Sequence, residues 1–428
     1  MASLQESHPA QQRAPVAEYV AESLRTLPAG SSFSVRVVYT ADHAVDSLTP
    51  RRPFSHFHAE SIYSRRILAF VLQGGCLVAG LEAHEFTTLR IEAQGAQPPQ
   101  TCVAVDCCIE KLDSSGELAG RMPMARALVA GYLRSLHRYS AALNVPSVGV
   151  HVFARAQPEY LFAKSKDNPR KRILGDLDLV KWWQSTLHHA LEYGARPAPD
   201  QSKLPSVHPV ANCIVPGSTM LESPWFFGKD RPSGAGLENR NASGSCAEGS
   251  LSVEWRWGLP YPLSARAHDC VLQFPDDPIT RLLSEAHSSA WSVSALLDML
   301  SVSEECGSGH RTAYFSASLP LCPDIGALAG AIANCGTASQ GHLSFEDYDK
   351  ILVVLFDKDM DFSSTASALS SSSRLMGYLD SSFDIPFIDV ETTGPAISAD
   401  RAQAPKPQEP PAVNDLSTMV RKRRKVVS

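Results

Sequence analysis

CLVAGLEAHEFTTL, residues 76–89, is an alternating apolar run, the pattern of a strand whose successive side chains point to opposite faces of a sheet. Three more such runs surround it: SFSVRVVYT (32–40), ILAFVLQ (67–73) and TCVAVDCCIEKL (101–112). Gly and Pro turns separate them, so the spacing predicts a meander of consecutive strands. Helical periodicity follows in PMARALVAGYLRSLHRYSAAL (123–143), a strand in SVGVHVFARA (147–156), and a second helix in LDLVKWWQSTLHHALEY (177–193). The fold class is therefore α+β, with a central mixed β-sheet surrounded by helices.

Past Gly194 the composition shifts to Pro, Gly, Ser and Asn, and periodicity is lost until about Ser250. This stretch reads mostly as a long loop, an insertion on one face or a cover over a site. A strand resumes at LSVEWRWG (251–258), followed by helices at the DDP motif and at SVSALLDML (292–300). A strand at TAYFSASLP (312–320) and an amphipathic helix at FEDYDKILVVLFDKDM (345–360) come next, and the Ser-rich run 363–373 frames a short helix. The expected organisation is a flexible N-terminus at 1–30, one folded domain at 31–390 with the loop-rich insertion at 194–250, and a disordered tail at 391–428.

At 428 residues, 44% hydrophobic and 20% charged, the chain can bury a sizeable core, and no run of about 18 uncharged apolar residues offers a membrane span. The first twenty residues contain no apolar signal segment, so the chain is expected in the cytosol or nucleus with its ten cysteines reduced. The cysteines are scattered without a CxxC pair, and His56, His58, His188 and His189 are too isolated for a metal site. A net charge of −6 argues against strong nucleic-acid binding by the body. The exception is Arg421 to Lys425, five consecutive cations in MVRKRRKVVS that match a nuclear import signal.

Three segments carry chemical interest. RPSGAG (231–236) fits a phosphate-loop pattern of small acetyltransferases, but it sits inside the irregular stretch with neither strand before nor helix after, and counts as a chance match. FARAQPEYLFAKSKDNPRKRILGDLDLVKWW (153–183) leaves a strand, passes a tyrosine and a loop bearing Lys164, Lys166, Arg170, Lys171 and Arg172, and ends in a helix with two tryptophans. Such a loop can hold phosphates, or be a solvated basic loop; Trp183 shares a helical stripe with Val180, Leu187 and Leu191, which is a core pattern. FPDDPITR (274–281) is locally a helix start, with Asp277 as N-cap and Pro278 at the first helical position.

Taken in order, IEKLDSSG (109–116), FARAQPEYLF (153–162), NPRKRILGDLDLVKWW (168–183) and FPDDPITR (274–281), backed by ECGSGH (305–310), resemble the fungal histone H3 lysine acetyltransferases of the regulator-of-Ty-transposition type. The resemblance implies a fold like that of the CREB-binding-protein acetyltransferase domain, with acetyl-CoA as co-substrate and no metal. By the same resemblance Asp277, Asp276, Asp113, Tyr160 and Trp183 match positions of catalysis or of the substrate-lysine channel. Phe153, Gln157, Lys171, Arg172, Ile173, Leu174, Leu177 and Trp182 would line acetyl-CoA, joined by Leu112, Arg121, Met122 and Pro123. Two positions depart from the family: Arg172 stands where a histidine is common, and Ile279 where a buried, self-acetylated lysine is common.

The resemblance further implies histone H3, in the H3–H4 dimer, as substrate, presented by histone chaperones of the anti-silencing and nucleosome-assembly types. The setting would be replication-coupled chromatin assembly and genome stability in the nucleus, without a membrane partner. The rival reading is a catalytically weakened protein that binds histone–chaperone complexes, and Ile279 is the feature that favours it.

Overall fold

The computed structural model describes residues 16–45, 60–91, 100–117, 123–143, 145–195, 208–222, 253–274, 277–285, 287–303, 311–321 and 342–395. RPSGAG, ECGSGH, Arg121, Met122, Asp276 and the basic tail lie outside them.

The four opening runs form β1 (Ser32–Thr40), β3 (Glu60–Gln73), β4 (Cys76–Ile91) and β5 (Gln100–Ser114), with a short β2 (His43–Val45) paired to β3. The sheet continues through β6 (Ser147–Ala154), β7 (Val210–Ile214), β8 (Glu254–Trp257), β9 (Ala313–Pro320), β10 (His342–Leu343) and β11 (Ile388–Glu391). Its order is β10-β1-β3-β4-β5-β6-β9-β7-β8, with β11 also on β1. The meander β1-β3-β4-β5 is antiparallel, β6 joins β5 in parallel, and β9 lies antiparallel between β6 and β7. The sheet is therefore mixed, as expected.

Helices α1 (Val16–Arg25), α2 (Met124–Ala142) and α3 (Asp176–Ala195) pack with the sheet around the main core. The segment expected to be a flexible N-terminus thus carries a helix. Val16, Val20, Ala21 and Leu24 of α1 are buried, and α1 approaches α2 so closely that a Cβ on Gly131 would lie 2.5 Å from the Val20 Cα. Three short helices follow: α4 (Ala267–Cys270), α5 (Pro278–Leu283) and α6 (Val293–Val302). A second core joins Leu68, Phe70 and Leu77 of the sheet to α7 (Phe345–Leu355) and α8 (Thr365–Ser382). The Ser-rich run is the start of α8, where Ser364 and Ser367 form a reciprocal capping box and Ser371 and Ser372 are buried. Within 194–250, the reading as mostly loop missed β7, because VANCI is a short run, broken at its centre by the polar Asn212, with no sustained alternation to betray it.

Candidate functional site

Alternation along β6 sends Val148, Val150, Val152 and Ala154 into the main core and turns Gly149, His151 and Phe153 to the opposite face. There β5, β6 and β9 floor a cavity of about 370 Å³. One wall is the chain leaving β6, with Arg155, Gln157 and Tyr160; the other is Phe274, Asp277, Ile279 and Arg281 at the start of α5. Phe153 stacks on Tyr314 at 4.7 Å, and the Phe274 ring covers His151 at 5.0 Å and Phe86 at 5.5 Å.

Asp277 performs the capping its sequence implies: its Oδ1 accepts from the Ile279 N–H at 3.0 Å, with Pro278 at the first helical position. The same residue lines the cavity, so cap and site coincide.

The Tyr160 wall is held from behind. Asp113 is buried, and its Oδ2 accepts the consecutive backbone N–H groups of Tyr160, Leu161 and Phe162 at 2.8, 2.9 and 3.2 Å. Its Oδ1 accepts the Ser114 N–H at 2.8 Å and the Lys171 ammonium at 2.7 Å, while Lys171 also donates to Ser165 Oγ at 2.7 Å. Tyr160 in turn donates its hydroxyl to the Arg155 carbonyl and accepts the Gln157 N–H at 3.0 Å. Burial pushes the Tyr160 phenol up, helped by the charge of Asp113, so it keeps its proton.

Four of the residues singled out in sequence therefore meet in the cavity: Phe153, Gln157, Tyr160 and Asp277. Others do not. Trp183 is 6% exposed within the main core, its ring edge-on to Trp182 at 5.2 Å, and is not among the residues lining this cavity. Lys171 is buried against Asp113, its ammonium paired with the carboxylate at 2.7 Å and its side chain 6% exposed. Asp113 does not line the cavity and acts through the turn it holds. Leu112 is core, while Leu174 and Trp182 are half-buried against it. Arg172, Ile173 and Leu177 are exposed at the approach to α3, and Pro123 is exposed at the start of α2.

Sequence reading missed the charged floor. In β5, Lys111 pairs with Glu82 and Ile109 with Ala83, which leaves Glu110 as the extra residue of a bulge, a device that re-aims side chains. Its carboxylate lies 2.8 Å from His84 Nδ1. Burial pushes the Glu110 carboxyl up, but the hydrogen bond and charge of His84, with Lys111 and Arg66, hold it below the usual carboxylate range. Neighbouring Cys108 is driven well above the ordinary thiol range by burial, with the negative charges of Glu110 and Asp277 adding to it. Two-residue periodicity places Cys108 with His151 on one face, as their pairing in register confirms, but a bulge has no signature in the residues themselves.

A family model described as the histone acetyltransferase KAT11-type domain matches residues 142–376. The histone acetyltransferase rtt109 of Schizosaccharomyces pombe is 31% identical over 181 residues, covering 40% of this chain and 42% of that protein. The histone acetyltransferase rtt109 of Aspergillus flavus is 27% identical over 245 residues, covering 48% of this chain and 40% of that protein. The matches thus span about two fifths of the length of these curated relatives. The crystal structure of Rtt109 from Aspergillus fumigatus superposes with a TM-score of 0.60 at 21% identity, covering 90% of this chain and all of that one, and shares the fold.

Proposed function

The chain belongs to the KAT11-type histone acetyltransferase family, and from that premise we propose that it transfers the acetyl group of acetyl-CoA to a lysine of histone H3. The observation that carries the reading is the meeting of Phe153, Gln157, Tyr160 and Asp277 in one cavity, with the Glu110 carboxylate on its floor. Acetyl-CoA supplies the activated thioester. Phe153 and Gln157 suit the pantetheine end, and Arg172 with the exposed apolar Ile173 and Leu177 at the entry to α3 suits the nucleotide end.

A lysine ammonium, with a reference pKa of about 10.4, has no lone pair and must lose a proton before it attacks. Asp277 and Glu110 draw the ammonium in, and the aromatic walls take its apolar stem. The amine then bonds to the thioester carbonyl carbon, the C–S bond breaks, and the departing sulfur takes up a second proton from the nitrogen. Because Cys108 stays protonated, it is a poor nucleophile, and transfer proceeds directly from thioester to lysine.

Chaperones of the anti-silencing and nucleosome-assembly types presenting H3–H4, a role in chromatin assembly and genome stability, and import through Arg421–Lys425 complete the proposal. The test is mass spectrometry of H3–H4 after incubation with the chain and acetyl-CoA, with and without each chaperone. Acetyl-lysine on H3 supports the reading; binding of the complex with no acetylation under any condition would make this a histone–chaperone binding protein instead.

A further inference from the structure

His151 lies on the cavity floor between two polar partners on neighbouring strands. On β9, directly opposite in register, Ser316 Oγ lies 3.2 Å from His151 Nδ1. On the β5 side, the buried Asp106 carboxylate lies 3.5 Å from His151 Nε2. The space for this pair is built into the backbone. Position 149 is glycine, and a Cβ there would fall 2.0 Å from Asp106 Oδ1 and 3.0 Å from His151 Nε2. Any other residue at 149 would drive the carboxylate away from the imidazole. Ser316 and His151 both line the cavity and Asp106 does not, so the order across β9, β6 and β5 is hydroxyl, imidazole, carboxylate.

Asp277 spends one oxygen on capping α5, which suits it to the role of a fixed charge. From the Ser316–His151–Asp106 arrangement we infer that these three residues form the proton relay of the acetyl transfer, an inference that rests on the acetyl-transfer reading of this cavity. The substrate ammonium gives its proton to Ser316 Oγ as the Ser316 hydroxyl proton passes to His151 Nδ1. Asp106, within ion-pair distance of Nε2 but not hydrogen-bonded to it, acts through its charge, which favours the Nε2–H tautomer and stabilises the imidazolium that results. The freed lone pair attacks the thioester, and the imidazolium later releases its proton to solvent. Ser316 is the catalytic contact; His151 accepts through it, and Asp106 positions the ring.

The experiment measures histone acetylation by wild type, His151→Ala, His151→Gln, Ser316→Ala and Ser316→Thr, each with and without added imidazole. The relay predicts that His151→Ala and His151→Gln lose roughly 10²-fold in kcat with KM within about threefold. Imidazole should restore His151→Ala by roughly tenfold and leave His151→Gln, whose site is filled, unchanged. Ser316→Thr should keep activity that Ser316→Ala loses. Should His151→Ala fail to fold, His151→Gln and the Ser316 pair decide the matter. A folded His151→Gln with kcat within about threefold of wild type would overturn the relay. So would acetyl-Ser316 accumulating on the enzyme, which would make Ser316 a nucleophile. An inactive wild type would sink the acetyl-transfer reading itself, and the relay with it.

Discussion

Replacing Asp113 by asparagine removes the charge on which the Tyr160 wall rests while keeping the size of the side chain. In the native protein this carboxylate, 3% exposed, accepts four backbone N–H groups and the ammonium of Lys171, itself 6% exposed. An amide can direct its oxygen to the turn 160–162, but its NH₂ then faces the ammonium, which keeps only Ser165 Oγ. Losing one partner of a buried ion pair costs about 3–5 kcal/mol, a large share of the about 5–15 kcal/mol that holds a domain folded. Much of that cost is the stranded charge. Adding Lys171→Met should therefore recover roughly 2 kcal/mol, making the double variant more stable than Asp113→Asn alone. Urea unfolding at 25 °C measures all three proteins. An Asp113→Asn loss below about 1 kcal/mol, the scale of an exposed pair, would refute the argument, as would no recovery in the double variant.

Trp183→Ala should cost about 3–5 kcal/mol of stability while the folded fraction keeps its KM for histone, because the ring fills core and does not face the cavity; thermal unfolding beside steady-state kinetics separates the two. His137 provides a pH test: burial drives it from 6.5 to about 4, with Arg138 and Arg134 adding and the Pro320 carbonyl opposing. Its neutral folded form leaves stability complete above the unfolded value near 6.5 and lost as pH falls toward about 4, at most about 3 kcal/mol. His137→Gln should flatten that part of the stability–pH curve, and an unchanged slope would contradict the assignment.

How much of this was legible in the residues depends on whether a role is local. The meander, α2, β6 and α3 follow from two-residue and helical periods, and the Asp277 cap from the DDP spacing, because each is decided within a few residues. Helix α1 was missed although its apolar face is periodic. The site divides the same way. Phe153, Gln157 and Tyr160 lie within eight residues of one another, so one motif delivers them together. Lys171 looked like a phosphate ligand because its loop is basic, and only the tertiary approach of Asp113, 58 positions away, turns it inward. Glu110 needed a bulge, and the grouping of Asp106, His151 and Ser316 needed the register of three strands. Ile279 sits at 4% exposure on the cavity wall, where an apolar side chain is compatible with a formed site.

The central claim is that acetyl transfer to histone takes place in this cavity under the charge of Asp277. Asp277→Asn tests it most directly, since asparagine caps a helix about as well as aspartate and leaves α5 in place. The measurement is the rate of histone H3 acetylation by a variant shown to fold and to bind acetyl-CoA as wild type does. A fall of roughly 10²-fold is predicted for loss of the fixed charge beside the ammonium. Turnover within about threefold of wild type would contradict the account and reduce FPDDPITR to a helix start.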